Sequence, residues 1–168
     1  MELILMRHGI AEDREEFLKK NQEDHVRPLT LKGRKRVQKI AMQLCNWYSE
    51  VDLIVSSPFT RARQTAEIVS QIFMDTKVIE AAELVPSSPP QAYMRWLRSH
   101  GDEHKRVVAV GHEPQLSVLA SFLMADQMEP FLEIKKGGLL CLEIESFKNI
   151  APGTAKLLWL VQPRHIID

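Results

Sequence analysis

Arg7, His8, Arg61 and His112 are the residues whose types and placing suit chemistry on an anion. Arg7-His8-Gly9 follows the unbroken apolar run at 3–6. Ser56-Ser57-Pro58 closes a second run, with Arg61 just beyond it, and Gly111-His112 ends a third at 107–110. Arginine forks match the oxygens of a tetrahedral phosphate. A neutral histidine nitrogen aimed among such cations is a competent nucleophile towards phosphorus, because the cations neutralise the group in transfer. Each residue alone has a plainer reading: Arg7 pairs with a carboxylate, and His8 and His112 are ordinary residues at strand ends. Only their convergence on one place calls for a reaction, and that convergence depends on the elements that carry them.

The run at 3–6 is short, apolar throughout and bounded by polar residues, as a central strand covered on both faces must be. Residues 51–56 and 106–111 read as two more strands, 78–79 as a short edge-like one, and 139–144 and 156–161 as a closing pair around a Pro152-Gly153 turn. Helical periodicity follows Thr30, a suitable N-cap, with Val37, Ile40, Ala41, Leu44 and Trp47 on one face and Lys32, Arg34, Lys35, Arg36 and Lys39 elsewhere. That basic run reads as a solvated helix face, with contact to an acidic partner as the alternative. Further helices are expected from Thr60 to Phe73, over 91–99, and over 116–124. Residues 10–28 read as a polar flap with one helical turn, and 83–90 as a proline-rich loop. Strands separated by helices predict one α/β domain over 1–168, three layers deep, with a mainly parallel mixed sheet and an antiparallel final pair. Ligands of such sheets bind beyond the strands' carboxyl ends, so the two arginines and two histidines are expected on one edge. Gly9 is expected to keep a side chain out of that crevice.

Composition narrows the classes. The chain has 168 residues, with 22 Lys plus Arg against 22 Asp plus Glu, so no net field draws it to nucleic acid or an anionic membrane, and any anion site is local. No apolar run reaches the roughly 20 residues of a membrane span, and the N-terminus lacks a signal-peptide layout, which makes a cytoplasmic protein the expectation. Cys45 and Cys141 read as reduced packing residues. His8 and His112 lack further ligands at zinc-like spacing, and His25, His100, His104 and His165 lie in polar or terminal stretches, so no metal and no cofactor are expected.

Three stretches, Leu5-Met6-Arg7-His8-Gly9, Ser56-Ser57-Pro58-Phe59-Thr60-Arg61-Ala62 and Gly111-His112-Glu113-Pro114, resemble the histidine phosphatase superfamily, whose fold is phosphoglycerate-mutase-like. The short chain, Val26-Arg27-Pro28-Leu29-Thr30 and Arg61-Ala62-Arg63-Gln64-Thr65-Ala66 look most like its SixA phosphohistidine phosphatases. The resemblance implies that His8 becomes phosphorylated, that Arg7 and Arg61 clamp the phosphoryl oxygens, that His112 completes the phosphate pocket, and that water releases phosphate. Arg63, two residues from Arg61, is assigned to the surface. Larger relatives carry a proton donor on an inserted loop that this chain lacks, which leaves Glu83 and Asp24 as donor candidates.

A weak acid suits phosphohistidine, since imidazole leaves far more readily than an alkoxide. The implied substrate is a phosphohistidine on a signalling or phosphotransfer protein, and a monomer is favoured. The rival readings are a small-molecule phosphomonoesterase, a phosphoglycerate-mutase-type enzyme needing a lid and a placed acid, and a phosphoprotein-binding module without turnover.

Overall fold

The computed structural model describes residues 1–167. Strand β1 (Glu2–Arg7) lies inside a six-stranded sheet. Outward on one side of it come β4 (Arg106–Gly111), β2 (Leu53–Ser56) and the edge strand β3 (Val78–Glu80), and on the other β5 (Leu139–Glu143) and β6 (Lys156–Val161). The strands from β3 to β1 are parallel, and β1–β5 and β5–β6 are antiparallel. Register sets the site: Arg7 lies opposite Gly111, while Ser56 pairs with Val110 one residue below. Three neighbouring strands therefore end level, and whatever follows them shares one edge.

Alternation along β1 divides the core in two. Leu3 and Leu5 join the side packed by α4 (Pro90–His100) and α5 (Gln115–Ala125). Ile4 and Met6 join the side packed by α2 (Leu31–Trp47) and α3 (Thr60–Ile72). All four side chains are fully buried, worth about 1.5–3 kcal/mol each. This is the expected three-layer arrangement. Both cysteines are free thiols, as expected, with Cys141 buried and Cys45 half-buried.

Two details differ from the sequence-based expectation. The proline-rich loop contains a 3₁₀ turn over Ala82–Leu84, and α4 begins on Pro90. The β5–β6 connection runs through 144–155 and buries Phe147 and Ile150, so more than a tight turn joins the last two strands. The flap carries α1 (Arg14–Leu18) and a 3₁₀ turn over Asp24–Val26.

The chain leaving β1 is pinned against α2. Thr30 caps that helix, its Oγ1 accepting from the Gly33 N–H at 2.9 Å. A Cβ on Gly33 would stand 2.0 Å from the Ile10 carbonyl oxygen, and one on Gly9 2.5 Å from a Val37 methyl. Gly9 thus makes room for α2 rather than for the crevice, which corrects the expectation above. The close approach sets the path of the chain just after His8.

Candidate active site

His8 follows β1 directly and is 6% exposed. Its Nδ1 lies 2.7 Å from the Gly9 carbonyl oxygen. A carbonyl only accepts, so Nδ1 carries the proton and Nε2 keeps its lone pair. Arg61 Nε donates to that Nε2 at 3.3 Å, which agrees with the tautomer. Burial pushes the His8 pKa down to about 3; the Gly9 carbonyl opposes this, and the Arg61, Arg7 and Arg27 cations add to it. His112 lies beside it, ring centroids 5.1 Å apart. Its pKa is down at about 2, through burial, then His8 and Arg61, with Asp24 opposing. Both imidazoles are neutral at physiological pH.

Arg61 sits in the first turn of α3, buried, with its guanidinium 5.1 Å from the Phe59 ring centroid. Its Nη1 donates to the Asp24 carbonyl at 2.9 Å and its Nη2 to Asp24 Oδ2 at 3.1 Å. Three of its five N–H groups are engaged, leaving one on each Nη for another acceptor. Arg7 donates through Nη1 to the Ile134 carbonyl at 3.0 Å. Arg7 Nε and His112 Nδ1 are buried without a partner, although buried polar atoms ordinarily have one. Together these four residues line a cavity of about 550 Å³, walled by flap residues on one side and Lys136 on another. Arg63 is exposed and pairs with Glu80 at 3.5 Å, as assigned.

The carboxyls divide by environment. Partial burial tends to raise the Asp24 pKa. The hydrogen bond from Arg27 and the charges of Arg61, Arg27 and Arg14 outweigh that and hold it below its ordinary value. Asp24 lines the cavity as a carboxylate bridging arginines, a poor state for giving up a proton. Glu83 is half-buried and does not line the cavity; from its loop it is Pro86 that does. Glu113, next after His112, lines the cavity, and burial raises its pKa against hydrogen bonds from Ser117 and Ile134 N–H and the Arg7 charge. Its Oε1 accepts from Ser117 Oγ at 2.6 Å and from the Ile134 N–H at 3.1 Å.

The sequence model of the histidine phosphatase superfamily (branch 1) matches residues 3–85, the part that carries Arg7, His8 and Arg61. An uncharacterised protein of Picosynechococcus sp. is 33% identical over 168 residues, 99% of each chain. The phosphohistidine phosphatase SixA of Escherichia coli is 28% identical over 137 residues, 77% of this chain and 78% of that one. This chain belongs to the histidine phosphatase superfamily. Its fold agrees: a structure of the protein histidine phosphatase SixA complexed with tungstate superposes with a TM-score of 0.81 at 23% identity, covering 98% of this chain and 99% of that one.

For this SixA-like histidine phosphatase the structure adds residues to which sequence reasoning gave no role. Ser57 Oγ meets His112 Nε2 at 2.8 Å. Thr65 Oγ1 accepts from the Gly9 N–H at 3.1 Å and donates to the Arg61 carbonyl at 2.8 Å, tying the two main site segments together. Phe59 packs edge-on against His112. Arg27 orders Asp24, donating through Nε at 2.9 Å. Ser57 and Thr65 stood inside recognised motifs, but nothing in spacing tells which hydroxyl meets which histidine. Glu113 also stood in a motif, and its burial was invisible. Among the described residues no group of three or more His, Cys, Asp and Glu is arranged to hold a metal ion.

Proposed function

We propose that this histidine phosphatase hydrolyses phosphohistidine on a signalling or phosphotransfer protein in the cytoplasm, through a phosphorylated His8. The observation that carries the reading is the His8 imidazole. Its proton is held on Nδ1 by the Gly9 carbonyl, and its Nε2 lone pair lies among Arg61, Arg7 and neutral His112. The Nε2 lone pair forms a bond to phosphorus as the bond from phosphorus to the substrate imidazole breaks, and that imidazole nitrogen takes up a proton. Water then attacks the phosphoryl group, its bond to Nε2 breaks, inorganic phosphate leaves and one proton returns to solvent. Arg7, Arg61 and His112 hold the phosphoryl oxygens, and the unpartnered Arg7 Nε and His112 Nδ1 gain acceptors there. The two guanidinium groups supply the charge that a divalent metal supplies elsewhere, so activity is expected to survive chelators.

The departing nitrogen needs little help with its proton. Glu113 is the cavity carboxyl held towards its neutral form, and it takes the donor role in preference to Asp24, which is ionised, and Glu83, which lies outside the cavity. The 28% identical relative named phosphohistidine phosphatase SixA supports the substrate class. The second reading, a small-molecule phosphomonoesterase, draws on the open cavity of about 550 Å³, which admits small phosphate esters too.

The deciding experiment measures phosphate release from a phosphohistidine-bearing protein domain, a phosphoglycerate and an aryl phosphate, by wild type and His8→Ala, with an alkaline quench to trap phosphoenzyme, since acid cleaves the phosphorus–imidazole bond. Preference for phosphohistidine with a dead mutant supports the first reading. Preference for the esters supports the second, and neither phosphate release nor trapped phosphoenzyme leaves a binding module.

A further inference from the structure

Beyond the His8 cavity the surface is basic along a continuous path. Arg7 and Lys136 wall both that cavity and a second one of about 550 Å³ that Arg36, Arg164 and Lys135 also line, the last paired with Glu133, the one carboxylate among the lining residues. Arg36 in turn borders a groove of about 410 Å³ along α2 with Lys32, Lys35 and Lys39. Positions 32, 35, 36 and 39 fall on one face of a helix, and at 1.5 Å per residue they extend the path by about 10 Å. Among the described residues Lys32, Lys35, Lys39 and Lys136 enter no ion pair.

Folding alone does not favour this arrangement. Like charges three and four residues apart on a helix repel by about 0.2–0.5 kcal/mol per pair. Cations in the first turns also oppose the helix dipole, and the first turn of α2 has no acidic residue. The flap side of the cavity mixes charges, with Glu12, Asp13 and Asp24 beside Arg14 and Arg27, whereas the basic path has few carboxylates. The path begins inside the phosphoryl site, so its occupant is the molecule that carries the phosphoryl group. It runs past two further cavities, farther than a small phosphate ester reaches.

We infer that the face from Lys136 through Arg36 to Lys32, Lys35 and Lys39 docks an acidic protein surface beside the phosphorylated histidine. This rests on the phosphohistidine reading above. Attraction of that kind acts mainly on encounter and is screened by salt.

The test uses three substrates: free phosphohistidine, and peptides of roughly ten residues, about 33 Å when extended, with phosphohistidine at one end and either glutamates or lysines along the rest. Wild type is expected to show a kcat/KM about tenfold higher on the acidic peptide than on the basic one at low salt, with the gap closing at high salt. The triple variant Lys32→Glu/Lys35→Glu/Lys39→Glu is expected to lose that preference and keep its rate on free phosphohistidine. The corresponding triple glutamine variant, which brings no acidic charge, should fall between. Equal rates on the two peptides, or a preference that survives the triple variant, overturns the inference while leaving the phosphohistidine reading intact. Loss confined to Lys136→Glu, with the α2 variants silent, overturns it in favour of a small polyanionic substrate. Failure on all phosphohistidine substrates, with aryl phosphate hydrolysed, removes the function reading and this inference together.

Discussion

Two neutral histidines buried side by side make the protein sensitive to acid in a way that can be calculated. The ordinary histidine pKa is 6.5, and in the fold His8 stands at about 3 and His112 at about 2. Between those limits the unfolded chain binds protons that the folded one refuses, so stability is fully present above pH 6.5 and is lost as the pH falls. At pH 5 each histidine costs about 1.5 pH units times 1.36 kcal/mol, or about 2 kcal/mol. Both folded pKa values lie well below 5, so neither ring is charged there. Their mutual repulsion then drops out, and the two costs add to about 4 kcal/mol. Glu113, with its pKa raised, acts the other way, relieved of an unfavourable charge as it protonates. The informative quantity is therefore the difference between proteins. Urea unfolding of wild type, His8→Asn and His112→Asn at pH 7.5 and pH 5.0 measures it, asparagine being unable to titrate. With a slope of about 2 kcal/mol per molar urea, the wild-type midpoint should fall about 1 M further than that of either variant. Parallel losses in all three proteins would mean that His8 charges inside the fold near its ordinary pKa, and the case for a neutral nucleophile would collapse. The same number bears on rate: at pH 5 only about 1% of His8 is protonated, so an acid limb in kcat/KM above that pH belongs to the substrate or to another group.

Three further substitutions probe the site. Glu113→Gln keeps an acceptor for Ser117 and Ile134 but has no proton to give; its rate is expected to fall about tenfold or more on an alkyl phosphate and little on phosphohistidine, and equal losses would assign Glu113 a positioning role only. Asp24→Asn removes a carboxylate that engages Arg61 Nη2, so inhibition by inorganic phosphate should tighten about tenfold, the effect of one charge-assisted hydrogen bond; a collapse of turnover restricted to poor leaving groups would instead make Asp24 the acid. Thr65→Val leaves the buried Gly9 N–H without its acceptor, and a loss of about 1–3 kcal/mol in urea unfolding, with reduced kcat, is expected; unchanged stability would show that Gly9 finds another partner.

Much of the fold was legible because its signals are local. The runs at 3–6 and 107–110 have no polar residue to spare for a solvated face, so both faces had to be covered, and the core divides around β1 in just that way. Thr30 announced its helix and caps it. Gly9 was misread for a reason of the same kind: a glycine signals that something comes close, and the sequence does not say what. The approach turned out to be a helix packed 2.5 Å from where its Cβ would stand. The 144–155 connection was underrated because the Pro-Gly pair is conspicuous, whereas Phe147 and Ile150 reveal their burial only in three dimensions.

The site divides along the same line. The shared edge of Arg7, His8, Arg61 and His112 was legible because each ends or follows a strand, and parallel register alone brings strand ends together. Which carboxyl is best placed to donate a proton was not, because a carboxyl's readiness to give one depends on what surrounds it. Asp24 and Glu113 are the same functional group lining one cavity. Arg14, Arg27 and Arg61 hold the first ionised, while burial favours the neutral form of the second. Asp24 is separated from Arg61 by 37 residues and Glu113 from Ile134 by 21, so no window of sequence contains the contacts that tell them apart. The asymmetry also lets the proposed phosphoryl site keep a carboxylate in its wall. Asp24 is already balanced by the guanidinium groups of Arg14, Arg27 and Arg61, which leaves Arg7, the remaining N–H groups of Arg61 and the unpartnered His112 Nδ1 free for the oxygens of an incoming anion.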